Sequence, residues 1–457
     1  MHELSASRAG TGRPNGLFKT ATALFIDIRM SVGSLSSSGT SASSIIHGFP
    51  EEDLRQERQD NPGYFPARLG QSLEAGRFCI VRKLGWGQYS SVWLAKDKKQ
   101  NQFVALKILT CESTKALQTS DKKKRSDELE MLQKISTAQR SHRGFEHTLT
   151  LYDSFEFQGP HGRHLCLVIE VLGHSVDYIR HLSDAGDLRL SMALTKRVTK
   201  QILCGLEYLH DVCEIVHTDI KHDNILFRLS DVNTVVAHAL TAEPSVSYSA
   251  DTEVITPVVP VVSQPLPLSL EDTVPTAHLK AVLTDVGHSH WQDHHFQELI
   301  QPAALRSPEV ILGYPWGTST DIWNLGCLLQ THQVTEFLIG FWLFEFRAHG
   351  DKWNAEEDHL ARMTEALGTK FDTVFLSKCQ NSQKFFTSSG CWRNFTSHEE
   401  PTWLLEKLLA EFASVDLGED EIIAAGKFLR KCLRIIPEER ASARELLRDP
   451  WLADVFL

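Results

Sequence analysis

No two cysteines in this 457-residue chain are spaced as CxxC. The nine cysteines (79, 111, 166, 204, 213, 327, 379, 391 and 432) are odd in number and scattered. That excludes a disulfide framework and a cysteine zinc site, and it fits the reduced thiols of an intracellular protein. Long apolar runs are also missing. Glu336–Phe346 contains acids and Val254–Leu268 is broken by prolines, so nothing reaches the ~18–20 residues of a membrane-spanning helix. Basic charge is in short supply, with 47 Lys and Arg against 58 Asp and Glu, a net charge of −11. A surface of that sign argues against non-specific binding to nucleic acid or to anionic membranes.

What is present is globular: 42% hydrophobic and 23% charged residues, with room for two to four units of roughly 100–200 residues. The first 60 residues contain a Ser34–Ser44 tract and no sustained period, and they are expected to be disordered. Arg8, Arg13, Lys19 and Arg29 leave a mitochondrial presequence as a secondary reading. The turn-rich stretch Asn61–Pro66 leads into a folded region. Residues 76–110 alternate as strands, Ser126–Ile135 has near-helical spacing, Leu165–Leu172 fits a buried strand, and Met192–His210 reads as a helix. Residues 229–278 carry six prolines, six acids and no Lys or Arg, so an extended, mobile insert without regular helix is expected. Leu279–Leu283 resumes as a strand, followed by a largely helical region.

The chemistry-bearing residues follow in order. Leu84-Gly85-Trp86-Gly87-Gln88-Tyr89-Ser90-Ser91-Val92 is a glycine loop whose backbone can approach phosphates. Alone it is also compatible with an ordinary strand turn. Val104-Ala105-Leu106-Lys107 ends a strand in a lysine, and Glu128 opens a helix from which it can pair with that lysine and aim it at phosphate oxygens. In His217-Thr218-Asp219-Ile220-Lys221-His222-Asp223-Asn224, the Asp219 carboxylate can accept a hydroxyl proton, Lys221 can neutralise a transferring phosphoryl group, and Asn224 can offer oxygen to a hard metal. Leu283-Thr284-Asp285-Val286-Gly287 supplies a second carboxylate, and Ser307-Pro308-Glu309 and Asp321-Ile322-Trp323 come later.

Taken together these motifs match the protein-kinase signature set, and in detail they resemble the SR-protein kinase family, in a form similar to its fungal members. The resemblance rests on Lys83–Gly87 with Ser91–Leu94, on Glu170-Val171-Leu172-Gly173, and on Thr218 where most kinases carry Arg. The insert, Glu357-Asp358-His359-Leu360 and Pro437-Glu438-Glu439-Arg440-Ala441 add to it. It covers about residues 60–228 and 279–457. It implies an α+β, bilobal kinase fold, with a β-rich small lobe over 61–170 and a mainly helical large lobe over 171–457. It also implies ATP and Mg²⁺. Leu84, Gly85, Gly87, Val92, Ala105, Lys107, Glu128, Glu170 and Leu172 would hold the nucleotide, Asp219 and Lys221 would serve the transfer, and Asn224 and Asp285 would ligate metal. Glu309 would pair with Arg440 structurally. The partners implied are Arg/Ser-rich protein substrates such as splicing factors, met by a monomer in cytoplasm and nucleus.

Two departures bear on activity. Pro302 stands where most kinases have a threonine hydroxyl bonding the catalytic Asp and Lys, and Gln330–Thr335 interrupts an apolar helix. They motivate the competing reading of a pseudokinase or scaffold that keeps the fold without transfer. Thr218, lacking the cation that binds an activation-loop phosphate, implies activity without such phosphorylation.

Overall fold

The computed structural model describes residues 51–54, 62–117, 119, 126–181, 190–248, 258–268, 279–329, 344, 354–394, 404–412 and 418–457. The first half is built on β1 (Ser72–Leu73), β2 (Phe78–Gly87), β3 (Ser90–Asp97), β4 (Gln102–Leu109), β5 (Leu151–Gly159) and β6 (Gly162–Ile169). They form one antiparallel sheet in the order β1-β2-β3-β4-β6-β5. Helices α1 (Cys111–Ala116) and α2 (Glu128–Thr137) are inserted between β4 and β5. Alternating apolar residues cover one sheet face with Phe78, Ile80, Trp93, Ala95, Val104 and Leu106, while Leu94, Ala105, Leu167 and Ile169 belong to the larger core.

The second half begins with β7 (Leu172–Ser175), α3 (Val176–His181), α4 (Met192–Asp211), β8 (Ile215–Val216) and β9 (Ile225–Arg228). Ser191 caps α4 by accepting from the Leu194 N–H, and the helix is buried along most of its length. After α5 (Val232–Ala242) come β10 (Ala281–Leu283), β11 (His290–Trp291), α6 (Pro308–Leu312) and α7 (Ser319–Leu328). The remaining helices are α8 (Ala355–Leu367), α9 (Thr373–Lys378), α10 (Ser382–Phe385), α11 (Leu405–Phe412), α12 (Glu419–Cys432) and α13 (Ala443–Leu446). Two small sheets, β10-β9-β7 and β11-β8, carry the loops of the site. Among the described residues no helix is long and apolar enough to cross a membrane. All nine cysteines are free, seven of them buried.

Two expectations are corrected. The insert 229–278 was expected to be extended and mobile, yet α5 lies inside it. The first proline is Pro244, which leaves Val232–Ala242 free to be helical, with the Asp231 side chain accepting from the Thr234 N–H at 3.2 Å. Its later stretch 258–268 runs beside β2, with the Gln264 N–H donating to the Lys83 carbonyl (2.9 Å) and Val261 and Leu266 buried. Similarly, four residues of the stretch expected to be disordered, 51–54, are docked on the sheet. Lys83, 1% exposed, pairs with Glu51 (2.6 Å) and Glu52, and Glu51 also accepts from Ser263 of the insert (2.8 Å). Register shifts on either side of Arg82 and Lys83 accompany the burial of both neighbours. Arg82 reaches the opposite way, to the carbonyls of Ala239 (3.1 Å) and Glu243 at the end of α5. The presequence reading and the Gln330–Thr335 interruption fall outside the described residues, and α7 closes before it, at Leu328.

Candidate active site

The site lies where the β2–β3 hairpin, α2, the loop after β8 and the loop after β10 meet. Val92 on β3 stands opposite Lys107 on β4, and Ala105 stands opposite Ile169 on β6, next to the segment Glu170–Leu172 that links the lobes. Lys107 Nζ sits 2.6 Å from Glu128 Oε1 and 2.7 Å from Asp285 Oδ1. Burial alone would lower the lysine's pKa, but the Asp285 and Glu128 carboxylates outweigh it and hold the ammonium above the ordinary lysine range. Asp285 is correspondingly held well below the usual carboxylate range, chiefly by Lys107. Gly287 makes this approach possible: a Cβ there would meet Asp285 Oδ1 and Glu128 Oε2 at 3.3 Å.

The second group centres on Asp219. Lys221 Nζ lies 2.9 Å from Asp219 Oδ2, and Asn224 Nδ2 donates to both the backbone and side-chain oxygens of Asp219, each at 2.9 Å. Because the amide nitrogen of Asn224 is committed to Asp219, its amide oxygen is the end left to serve a cation. Burial opposes the charge on Lys221, yet Asp219 raises its pKa overall. The two groups are held together by bonds to main-chain carbonyls: Thr284 N–H donates to the Asn224 carbonyl (2.9 Å), and the His217 side chain bonds the Thr284 carbonyl through Nε2 (2.9 Å). The hydroxyl expected at position 302 is absent, but Asp219 already has both Lys221 and Asn224 as partners. Pro302 instead caps a short turn, and Gln301 beside it takes φ 66° and binds Ser307 and Thr320.

Among the described residues nothing requires glycine at 85 or 87. Neither has positive φ, and a Cβ at either would find no atom within 4 Å. The bare backbone leaves room for a bound group, as a nucleotide-covering loop needs. The metal donors fit a hard cation, namely the Asn224 amide oxygen and the Asp285 carboxylate. Among the described residues no group of three or more His, Cys, Asp or Glu could hold a metal alone, so phosphate and water oxygens would complete its shell. Glu170 takes a place besides its backbone one: its carboxylate grips Arg228 of β9 through 2.7 and 2.8 Å bonds and accepts from the Thr150 N–H (2.9 Å), bracing the link between lobes. Glu309 pairs with Arg440 at 2.5 and 2.6 Å, fully buried.

Three supporting roles, those of Asp321, Trp291 and Arg228, were not read from the sequence, although Asp321 stands in a motif quoted above. Asp321, fully buried, accepts from the His217 N–H (2.8 Å), the Thr218 N–H (2.7 Å) and His210 (2.9 Å), and so holds the loop that carries Asp219. Thr218 and Asp285 both sit in the left-handed region, at φ 65° and 60°, a conformation that side chains other than Gly adopt only under constraint. Trp291 of β11 donates to Asp127 at the start of α2 (2.9 Å). Arg228 is the third. The Asp-Ile-Trp triplet was the only signal for any of them.

A family model described as the protein kinase domain matches residues 78–253. A serine/threonine-protein kinase SRPK of Physarum polycephalum is 34% identical over 419 residues, 89% of this chain and 93% of that one. Protein kinase dsk1 of Schizosaccharomyces pombe is 28% identical over 86% of this chain and 84% of its own. SRSF protein kinase 3 of Mus musculus is 25% identical over 92% and 95%. Similarity at that level, over most of each chain, is what the assembled lysine, carboxylates and glycine loop lead one to expect, and the chain belongs to the SR-protein kinase family of ATP-dependent serine/threonine protein kinases.

Proposed function

We propose that the chain moves the γ-phosphoryl group of ATP, with Mg²⁺, onto serines of basic Arg/Ser-rich proteins. The observation that carries this reading is the joining of two clusters, Lys107–Glu128–Asp285 and Asp219–Lys221–Asn224, across one set of backbone bonds. Asp219 Oδ would accept the serine proton as the hydroxyl oxygen bonds to the γ-phosphorus and the bond to the bridging oxygen of ADP breaks. Lys221 would offset charge on the phosphoryl oxygens, and Lys107, aimed by Glu128, would orient the α- and β-phosphates. A divalent cation held by Asn224 and Asp285 would supply charge neutralisation.

Readiness without phosphorylation is supported by three contacts. The Thr218 hydroxyl donates to the His288 carbonyl (2.7 Å), β11 pairs with β8, and Trp291 joins the start of α2. The choice of basic substrate is supported by charge: residues 171–228 with 279–457 carry 24 basic and 34 acidic residues, −10, whereas 61–170 carry 17 and 11, +6. It is also supported by the relatives' names. The same reading has a monomer acting in cytoplasm and nucleus, and a tagged chain confined to mitochondria would contradict that part. The direct test is Mg²⁺-ATP turnover with an Arg/Ser-rich peptide for the wild type and Asp219→Ala. Loss of at least about a thousandfold in the variant is expected, and equal rates would sink the catalytic assignment.

A further inference from the structure

The tip of the glycine loop is fastened from outside the cleft. Residues 86–89 are all exposed, yet the hydroxyl of Tyr64, a residue only 6% exposed, lies 2.7 Å from the Gly87 carbonyl and 3.0 Å from the Gln88 carbonyl. The Tyr64 ring also meets Trp86 edge-on, with centroids 6.3 Å apart. Tyr64 itself is rigidly mounted. The Cys111 N–H donates to the Gly63 carbonyl (3.0 Å), the Glu112 N–H donates to the Pro62 carbonyl (3.1 Å), and Phe65 packs on Phe157 and His164. Burial, reinforced by Glu52, raises the pKa of the phenol, so it stays a neutral donor at physiological pH.

We propose that Tyr64 is a positioning residue for the nucleotide: it fixes the peptide planes at the tip of the glycine loop and so ties the segment before β1 to ATP affinity. The step rests on the ATP-dependent reading above. In a trans peptide the carbonyl and the following N–H point in opposite directions. Drawing the Gly87 and Gln88 carbonyls towards Tyr64 therefore turns the Gln88 and Tyr89 N–H groups away from it together. A hairpin tip carrying glycine would otherwise sample many such orientations and lose that freedom on binding. Tyr64 makes the choice beforehand. A second anchor, from the Thr110 N–H to the Tyr89 carbonyl (2.9 Å), holds the far side of the tip.

The test is Tyr64→Phe, which removes the hydroxyl and keeps the ring on Trp86. ATP affinity, measured directly by titration calorimetry on the full chain, is expected to weaken about three- to tenfold, the size of one lost hydrogen bond. KM for ATP should rise in step, while KM for the peptide and the thermal midpoint stay at wild-type values. Unchanged ATP affinity would overturn the proposal. So would a variant whose ATP and peptide constants worsen together with its midpoint, because that pattern marks a merely structural role. Should the variant not fold, the carbonyl carbon shifts of Gly87 and Gln88 in the nucleotide-free wild type decide: both should lie downfield, as in hydrogen-bonded carbonyls, and the values of a free loop would contradict the latch. Wild type that binds ATP but transfers nothing would refute the catalytic reading while leaving this one standing.

Discussion

At the scale of single residues, the proposed site divides into groups that would do the chemistry and groups that hold them. Lys107, Glu128, Asp219, Lys221, Asn224 and Asp285 were legible in the sequence because phosphoryl transfer needs these residue types at near-fixed spacings. Their holders were not. Asp321 acts on the backbone N–H groups of His217 and Thr218, more than a hundred residues away, and Tyr64 acts on two carbonyls. Backbone atoms carry no residue identity, so a motif can mark such a residue, as Asp-Ile-Trp marks Asp321, without showing what it holds. Asp321→Asn puts the point to use. An amide can accept through only one oxygen and must turn an NH₂ towards a buried donor, so stability should fall by about 2–4 kcal/mol in urea titration. The kcat should drop about tenfold or more as Asp219 loses its placement. Wild-type stability and kcat in that variant would show that the loop holds itself.

At the scale of elements, strands β2 to β4 and helices α2 and α4 fall where alternation and helical spacing put them, because each buries one face or stripe. The insert was misread because its proline content was averaged over fifty residues. All six prolines lie beyond residue 243, so the proline rule had no force over Val232–Ala242. Nor could its docking be read, since it depends on Arg82 and Lys83, two long cations in β2 that look like surface residues in isolation. Lys83 is buried between Glu51 and Glu52, and burial raises the Glu52 pKa despite the lysine. Lys83→Met would leave those carboxylates without their counter-charge. It should cost about 3–5 kcal/mol of stability and, by freeing residues 51–54 and 258–268, expose the insert to limited proteolysis before the rest of the chain. A variant as stable and as resistant as wild type would mean that the segments are held by apolar packing alone.

At the scale of the whole molecule, two electrostatic properties follow. The first is acid sensitivity. Burial lowers the pKa of His147, His161, His164, His174, His290 and His295 below the ordinary 6.5, to about 4 in His174 and about 3 in His290. The unfolded chain therefore takes up protons before the folded one does, and stability declines as pH falls from 6.5 towards those native values. At pH 5.5 the loss is about 1 kcal/mol for the buried His290, whose native value lies far below that pH, and the other five act in the same direction. Thermal midpoints taken between pH 7 and pH 5 should fall steadily, and a flat profile would contradict the assigned burial. The second property is the split of charge, −10 on the helical lobe against +6 on the sheet lobe, which the total of −11 conceals. It bears on the central claim, that this kinase selects basic serine substrates. The most direct measurement is kcat/KM for an Arg/Ser-rich peptide against its twin with every Arg replaced by Gln, under Mg²⁺-ATP, with Asp219→Ala as blank. The expected result is a preference of about a hundredfold or more for the arginine peptide, shrinking as salt is raised. Equal kcat/KM for the two peptides would contradict it.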